Sequence, residues 1–419
     1  MAQESSAVLP APHDLHLPTS AVEGSTSRDF GVYLHVPFCQ PDCGYCDWAS
    51  VADSDSSGVI KTRYARLIAQ ELSASRRALD ESGVADRVAR SVFFGGGNPT
   101  ALPSSDIGYM LDAVSRGVGI TDDAEITVEA HPDTVNPAYV RALRDMGVTR
   151  ISLGMHSAVP HVLATLRRTH ERVQVWDAAA TAREVGLDVS LDLVYGTPGE
   201  SPDDWQKTLE IALAMEPDHI SAYALVAEPG TPLAAAMERG DVAEVDPDVQ
   251  ADYYLMADRV LAETGFEWYE LSHWARTPEH QSRHQMGYWS SADWLGLGPR
   301  AHSHVGGVRW WNVNSLGTWA ERVDQEVLPV ESQEILDESA RHMEQIMLGV
   351  KTREGISLDT VPGADALAQQ WGEQGLVEGD ALAAGRIVLS PKGRLLADRL
   401  TTELLSLEVS TQPGSEASA

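Results

Sequence analysis

The sequence predicts an α/β protein: a barrel or partial barrel of parallel strands, followed by a small C-terminal α+β domain. Three observations lead there. Strand-like and helix-like segments alternate at least six times before residue 275, which favours a parallel sheet with right-handed crossovers. Residues able to do chemistry sit at strand ends, as in barrels whose site lies at the C-terminal face of the strands. After about residue 330 the alternation gives way to helices and a β-hairpin. A doubly wound open sheet fits the same alternation and stands as the competitor.

Residues 1–28 are rich in Pro, Ser, Ala and Glu and lack periodicity, so a disordered arm is expected. VYLHVPF (32–38) reads as a strand, and 58–80 as a helix with Tyr64, Leu67, Ile68 and Leu72 on one side. RSVFFGGG (90–97) is a strand running into glycines, and AEITVEAHP (124–132) is the next strand. Pro137 opens a helix that ends at Gly147. RISLGMHS (150–157) is a strand, a helix over 172–185 closes at Gly186, and DVSLDLVYG (188–196) is a strand. A helix from Asp203 to Met215 leads to strand HISAYALV (219–226), and a helix over 248–264 leads to strand FEWYELS (266–272). The barrel is thus assigned to 29–330. Helices at 333–349 and 364–373, with the hairpin, place a winged-helix-like domain over 331–404, and 405–419 is expected to be a disordered tail.

The balance of 62 acidic against 31 basic residues, a formal charge of -31 in 419 residues, argues against nucleic acid and anionic membranes as partners. No run of about 18 apolar residues suggests a membrane span. The start lacks the basic and apolar regions of a signal peptide, so a cytoplasmic protein is expected. All three cysteines, Cys39, Cys43 and Cys46, lie in one C-x3-C-x2-C window. Three thiolates cannot pair off as disulfides and suit a reducing compartment. An iron–sulfur cluster, a zinc ion completed by nearby His35, and no metal at all are the readings of that spacing.

CQPDCGYC resembles the cysteine signature of radical S-adenosylmethionine (SAM) proteins. YLHVPFC…CGYCDW resembles the branch that holds oxygen-independent coproporphyrinogen III oxidase and the bacterial heme chaperone. FFGGGNPTALP, VEAHPD, SLDLVYGTPGES, HISAYALVAEPGT and RHQMGYW continue the likeness, which spans about residues 30–400. The resemblance implies a partial (β/α)6 barrel of the radical SAM type. It implies a [4Fe–4S] cluster on Cys39, Cys43 and Cys46, with SAM chelating the remaining iron. By the same resemblance Tyr33, Tyr45, Gly96, Gly97, Asn98, Glu129, His156, Arg168, Asp192 and Ala224 line the SAM site. Read without it, Glu129 is equally a surface acid, Arg168 a solvated helix residue, and the glycine run weak evidence of a ligand.

The oxidase branch carries a fourth cysteine two positions past the third; here that position is Trp48. The chaperone branch carries H-N-x-x-Y-W, which here reads His284-Gln285-Met286-Gly287-Tyr288-Trp289. The resemblance therefore implies a heme chaperone that delivers heme to acceptor proteins, with His284, Tyr288 and Trp289 as candidate heme contacts and no catalytic residue assigned. A coproporphyrinogen III dehydrogenase and a radical SAM enzyme on another substrate remain the alternatives. An electron donor would be a partner if SAM is cleaved, and a homodimer is among the expected states. His284 equally suits a hydrogen-bonded core histidine. The pair His302 and His304, near Trp310 and Trp311, reads first as a structural or substrate-face element, although H-x-H also occurs in zinc sites. Asp42, Asn98, His131, His156, Gln285 and Arg300 depart from the residues usual in relatives.

Overall fold

The structure is a computed structural model and describes residues 9–10, 15, 17–39, 44–46, 55–84 and 86–411. Six parallel strands form its centre: β1 (Phe30–Val36), β2 (Ala89–Gly96), β3 (Ile120–Ala130), β4 (Arg150–His156), β5 (Asp188–Tyr195) and β6 (His219–Ala224). They pair in sequence order with no reversal. A doubly wound sheet needs a point where strand order reverses, so the partial barrel stands and the competitor falls.

Helices return the chain between strands, and their ends follow local chemistry. Asn136 caps the helix Pro137–Asp145, accepting from the Tyr139 amide, with Pro at its first turn. Ser201 and Asp204 form a reciprocal capping box on Pro202–Ala214. Gly147 and Gly186 follow their helices with φ of 96° and 75°, the left-handed turn that glycine adopts without strain.

Successive strand residues point to opposite faces. The outward set, including Val128, Ile151, Leu153, Val189, Leu191, Ile220 and Ala222, is buried against the helices. The main hydrophobic core therefore lies between sheet and helices, leaving the inner face available for polar side chains.

The sheet continues past both edges of the six strands. Asp293–Leu297 adds parallel to β1. His302–Val305, Val308–Asn312 and Val330–Ile335 then follow antiparallel. At the other edge His273–Ala275 pairs antiparallel with β6 and carries Glu267–Glu270 beside it.

Four sequence expectations need correction. The N-terminal arm is ordered in part: Leu9–Pro10 pairs with Val330–Ile335, Thr19–Val22 is a helix, and Leu15, Leu17 and Ala21 are buried. These few apolar residues anchor a segment that is polar on average. The stretch expected as one strand over 266–272 is the first half of the antiparallel edge hairpin. The helix expected from 333 starts at Glu338, where Asp337 accepts from the Ala340 amide; the residues before it are the strand Val330–Ile335. The last helix, Ala397–Thr411, extends into the stretch expected as a tail.

The C-terminal part has its own core, which includes Ile346, Val350, Trp371, Leu376, Ile387 and Leu400. Ile356–Ser357 pairs with Arg386–Ile387, and Val377 bridges Leu389. Arg394 grips Asp258 of the barrel side through two bonds of 2.8 and 2.7 Å, holding this part against the helix Pro247–Glu263.

Candidate functional site

A cavity of about 270 Å³ opens at the C-terminal ends of β2 to β6 and runs down the barrel interior. Cys39, Tyr45, Cys46, Gly96, Gly97, Glu129, His156, Arg168 and Asp192 all line it, so most of the expected site residues share one space. Cys39 and Cys46 are half-buried, and Cys43 lies outside the described residues, as do Asp42 and Trp48. The described residues alone bring no three His, Cys, Asp or Glu side chains together as a metal site.

The glycines act through space and conformation. Gly96 has φ of 111°, and a Cβ there would meet the His35 ring at 2.7 Å. A Cβ on Gly97 would lie 2.9 Å from the Phe38 carbonyl oxygen. Their bareness lets the segment that leads to Cys39 rest on the end of β2.

Charge around the cavity is mixed. The Gly96 amide donates to Glu129 at 3.2 Å, and burial with Asp192 nearby pushes the Glu129 carboxyl up to about 8. Asp192 accepts from the Ser152 hydroxyl at 2.9 Å, and burial raises its pKa as well. Arg168 donates to His131 Nε2 at 3.3 Å, so it is engaged at the cavity wall and not spread in solvent. His156 ends β4 with φ of 58°, a conformation costing about 1–3 kcal/mol in a non-glycine residue. Its Nδ1 is 3.1 Å from the Tyr45 hydroxyl, and burial followed by Arg168 holds its pKa far below 6.5. A neutral His156 is therefore the state facing the cavity.

Three expected residues stand elsewhere. Asn98 is fully buried: its Oδ1 accepts from the Thr100 amide and hydroxyl at 3.1 and 2.7 Å, and its Nδ2 donates to Thr134. Its side chain caps the turn Pro99–Ala101 and does not line the cavity. Ala224 ends β6 away from the cavity lining. Tyr33 belongs to a neighbouring space described below.

Deeper down, the barrel interior carries residues that sequence reasoning missed: Thr127, Arg150, Ser152, Ser190, His219, Ser221 and Tyr223. Arg150 is 2% exposed. Its Nη1 donates to the His280 carbonyl at 2.7 Å, and Glu125 lies 3.7 Å away. Arg150 Nη2 and Thr127 Oγ1 have no hydrogen-bond partner among the described residues. Buried donors without partners are costly, so this interior is built to be filled by something polar, unlike a packed barrel core.

A second cavity, of about 460 Å³, adjoins the first and shares Phe93, Glu129 and Gln285 with it. Rings dominate it. Phe93 stacks on His284 with centroids 5.1 Å apart, Tyr33 stacks on both, and Tyr288 meets Trp294 edge-on at 4.7 Å. His284 is buried, with Nδ1 2.9 Å from the Ser91 hydroxyl and Nε2 2.8 Å from the Tyr288 hydroxyl. Both ring nitrogens are thus engaged, and burial holds its pKa down at about 3. Trp289 does not join His284 and Tyr288; it lines a different cavity with Met286 and Leu336. The expected trio is therefore split, because successive residues of the helix Arg283–Trp289 face different sides.

The sequence pattern of the Radical SAM superfamily matches residues 33–212. The heme chaperone HemW of Mycobacterium tuberculosis is 41% identical over 380 residues, which is 90% of this chain and 95% of that protein. The heme chaperone HemW of Synechocystis is 32% identical over 340 residues, 80% of each. Among solved structures, coproporphyrinogen III oxidase (HemN) from Escherichia coli shares the fold, with a TM-score of 0.76 over 92% of this chain and 91% of that one, at 20% identity. No helix among the described residues is long and apolar enough to cross a membrane.

Proposed function

The chain belongs to the radical SAM family of HemW and HemN proteins, and from that premise we propose that it is a cytoplasmic heme chaperone. It binds a [4Fe–4S] cluster, SAM and heme, and delivers heme to acceptor proteins. The observation that carries this reading is the 41% identity to a heme chaperone across 90% of the chain. The cysteine inventory supports it: the only three are in one window, and position 48 is Trp.

The residues present fit the two cofactors. Cys39, Cys43 and Cys46 would hold the cluster, with the reducing cytoplasm keeping them as thiols until it binds. When bound, cluster and SAM together supply one-electron chemistry. For this chain's part, Glu129 is suited to the SAM ammonium, because a buried carboxyl whose pKa sits near 8 regains its charge beside a cation. Arg168 suits the SAM carboxylate. Tyr45 and His156 form one hydrogen-bonded pair at the rim, fitted to a ribose, and Asp192 is held in place by Ser152. Gly96 and Gly97 line the cavity and let the segment leading to Cys39 pack against the end of β2. Asn98 acts at one remove, by fixing the turn after Gly97.

The test uses anaerobic protein with its cluster reconstituted. Saturable heme binding followed by transfer of heme to apomyoglobin is the expected result. Conversion of coproporphyrinogen III to protoporphyrinogen would replace the chaperone reading with the oxidase. An electron donor, if SAM is cleaved, and a second copy of the chain are the further partners proposed.

A further inference from the structure

We infer that the floor of the barrel cavity is a separate binding site for a small carboxylate, held by Arg150 and Thr127. The inference goes beyond the chaperone reading and does not rest on it.

Strand register sorts the cavity into layers. At the floor, Thr127 pairs directly with Arg150 across β3 and β4. Two residues higher, Glu129 pairs with Ser152, Ser152 with Ser190, and Ser190 with His219. Asp192 pairs with Ser221 above these, and His156 ends its strand at the mouth. At about 3.3 Å per strand residue, the floor lies on the order of 20 Å along β4 from His156. The residues suited to SAM all belong to the layers above the floor.

Those upper layers satisfy themselves. Ser152 donates to Asp192 at 2.9 Å, and the Ser190 hydroxyl is 2.7 Å from His219 Nδ1. His219 Nε2 is 2.7 Å from the Tyr269 hydroxyl, and the Tyr223 hydroxyl is 2.7 Å from His273 Nε2. The floor differs. Arg150 is 2% exposed and Thr127 1%. Arg150 Nη1 is spent on the His280 carbonyl at 2.7 Å. Glu125 approaches the same nitrogen at 3.7 Å, beyond a hydrogen bond, and its oxygens accept from the Ser282 hydroxyl and the amides of Arg283 and His284. Arg150 Nη2 and Thr127 Oγ1 are left unmatched among the described residues, on neighbouring strands that line one space. Phe93, the partner of Thr127 on β2, brings no polar side chain. Gln285 Oε1 is also unmatched on this lining; a side-chain amide turns either end to a ligand, so it fits a donor or an acceptor.

A guanidinium nitrogen and a hydroxyl on adjacent strands call for an anion that presents one oxygen to each, and a carboxylate does so. A phosphate dianion would add a second negative charge to a space already lined by Glu129 and Asp192. Burial pushes both of those carboxyls toward the neutral form, which leaves the guanidinium less opposed in the ligand-free protein. The ligand is small, because the whole cavity holds about 270 Å³.

The experiment is calorimetric titration of the anaerobic, cluster-loaded chain with sodium acetate, and separately with sodium phosphate, at matched ionic strength in chloride. Acetate should saturate at one site per chain, and phosphate should bind at least tenfold more weakly. Thr127→Val should weaken acetate about tenfold, the worth of a hydrogen bond to a charged group. Its ligand-free melting temperature should not fall, because the hydroxyl it removes has no partner; a merely structural hydroxyl would behave the other way. Arg150→Lys, which keeps the charge but not the second nitrogen, should also lose acetate. Saturating SAM should leave acetate affinity in place. No saturable acetate binding would mean a floor filled by water alone and would overturn the inference. So would unaltered affinity in Thr127→Val, phosphate binding as tightly as acetate, or displacement of acetate by SAM. None of these outcomes touches heme binding, so the chaperone reading stands or falls separately, on the hemin titration.

Discussion

The two adjoining cavities are built from different parts of the chain and by different rules. The barrel cavity takes alternate residues from parallel strands: Thr127, Glu129 and His131; Arg150, Ser152 and His156; Ser190 and Asp192; His219, Ser221 and Tyr223. These strand residues are mostly polar, and Arg150 Nη2 and Thr127 Oγ1 among them are unmatched within the described residues. The ring-lined cavity draws on β1, the short helix Arg283–Trp289 and the antiparallel extension of the sheet, and its polar groups are mostly matched to one another. A space with unmatched donors suits a small polar cofactor; one walled by rings suits a flat apolar cargo. Phe93, Glu129 and Gln285 form the partition between them.

If that division holds, variants on one side leave the other side working. The largest effect is expected from Cys39→Ala with Cys46→Ala: iron and acid-labile sulfide should fall to background, while hemin titration of the same protein stays unchanged. Loss of both would erase the division.

Arg150→Met should lower stability by about 3–5 kcal/mol, because it strips a buried carboxylate, Glu125, of its cation and empties the barrel floor. Urea denaturation measures it, and a change under 1 kcal/mol, roughly the worth of one ordinary hydrogen bond, would show that the floor is not held by charge.

Glu129 offers a pH test. Its carboxyl is neutral below about 8 in the ligand-free protein. A bound ammonium favours the ionised form, so binding should release a proton, and SAM affinity should rise with pH up to about 8, by at most about tenfold per unit. Glu129→Gln should flatten that profile and weaken SAM by about tenfold, the worth of a charge-assisted bond. Calorimetry in buffers of different ionisation enthalpy reads the released proton.

The smallest effect is expected at Ser152→Ala. It removes a hydroxyl donor to Asp192 and should cost about 1 kcal/mol in SAM affinity, with heme binding unmoved.

Much of the barrel was legible because helical and strand periodicities are strong signals over segments such as 58–80 and 150–157. The antiparallel extension was not: His302–Val305 is four residues long, and its pairing is long-range. The ordered arm escaped notice because composition hides single anchors such as Leu17 and Ala21. Within the site, the resemblance picked about one residue per strand. The period of two would have found their neighbours: Ser152 and Arg150 precede His156 on the same face, and Ser190 precedes Asp192. The same period sets Ala224 apart, since it is Tyr223, one position earlier, that lines the cavity. Asn98 stood directly before Pro99 and Thr100, a pattern that marks a turn cap as well as a ligand. What sequence could not give for His284 was its partners, Ser91 and Tyr288, one of them 193 positions away.

Equilibrium dialysis of labelled SAM against cluster-loaded protein, with and without saturating heme, addresses the two-cavity chaperone most directly. The expected result is one SAM and one heme held by each chain together, with no porphyrinogen consumed when heme is replaced by coproporphyrinogen III. Expulsion of SAM by heme, or turnover of the porphyrinogen, would contradict it.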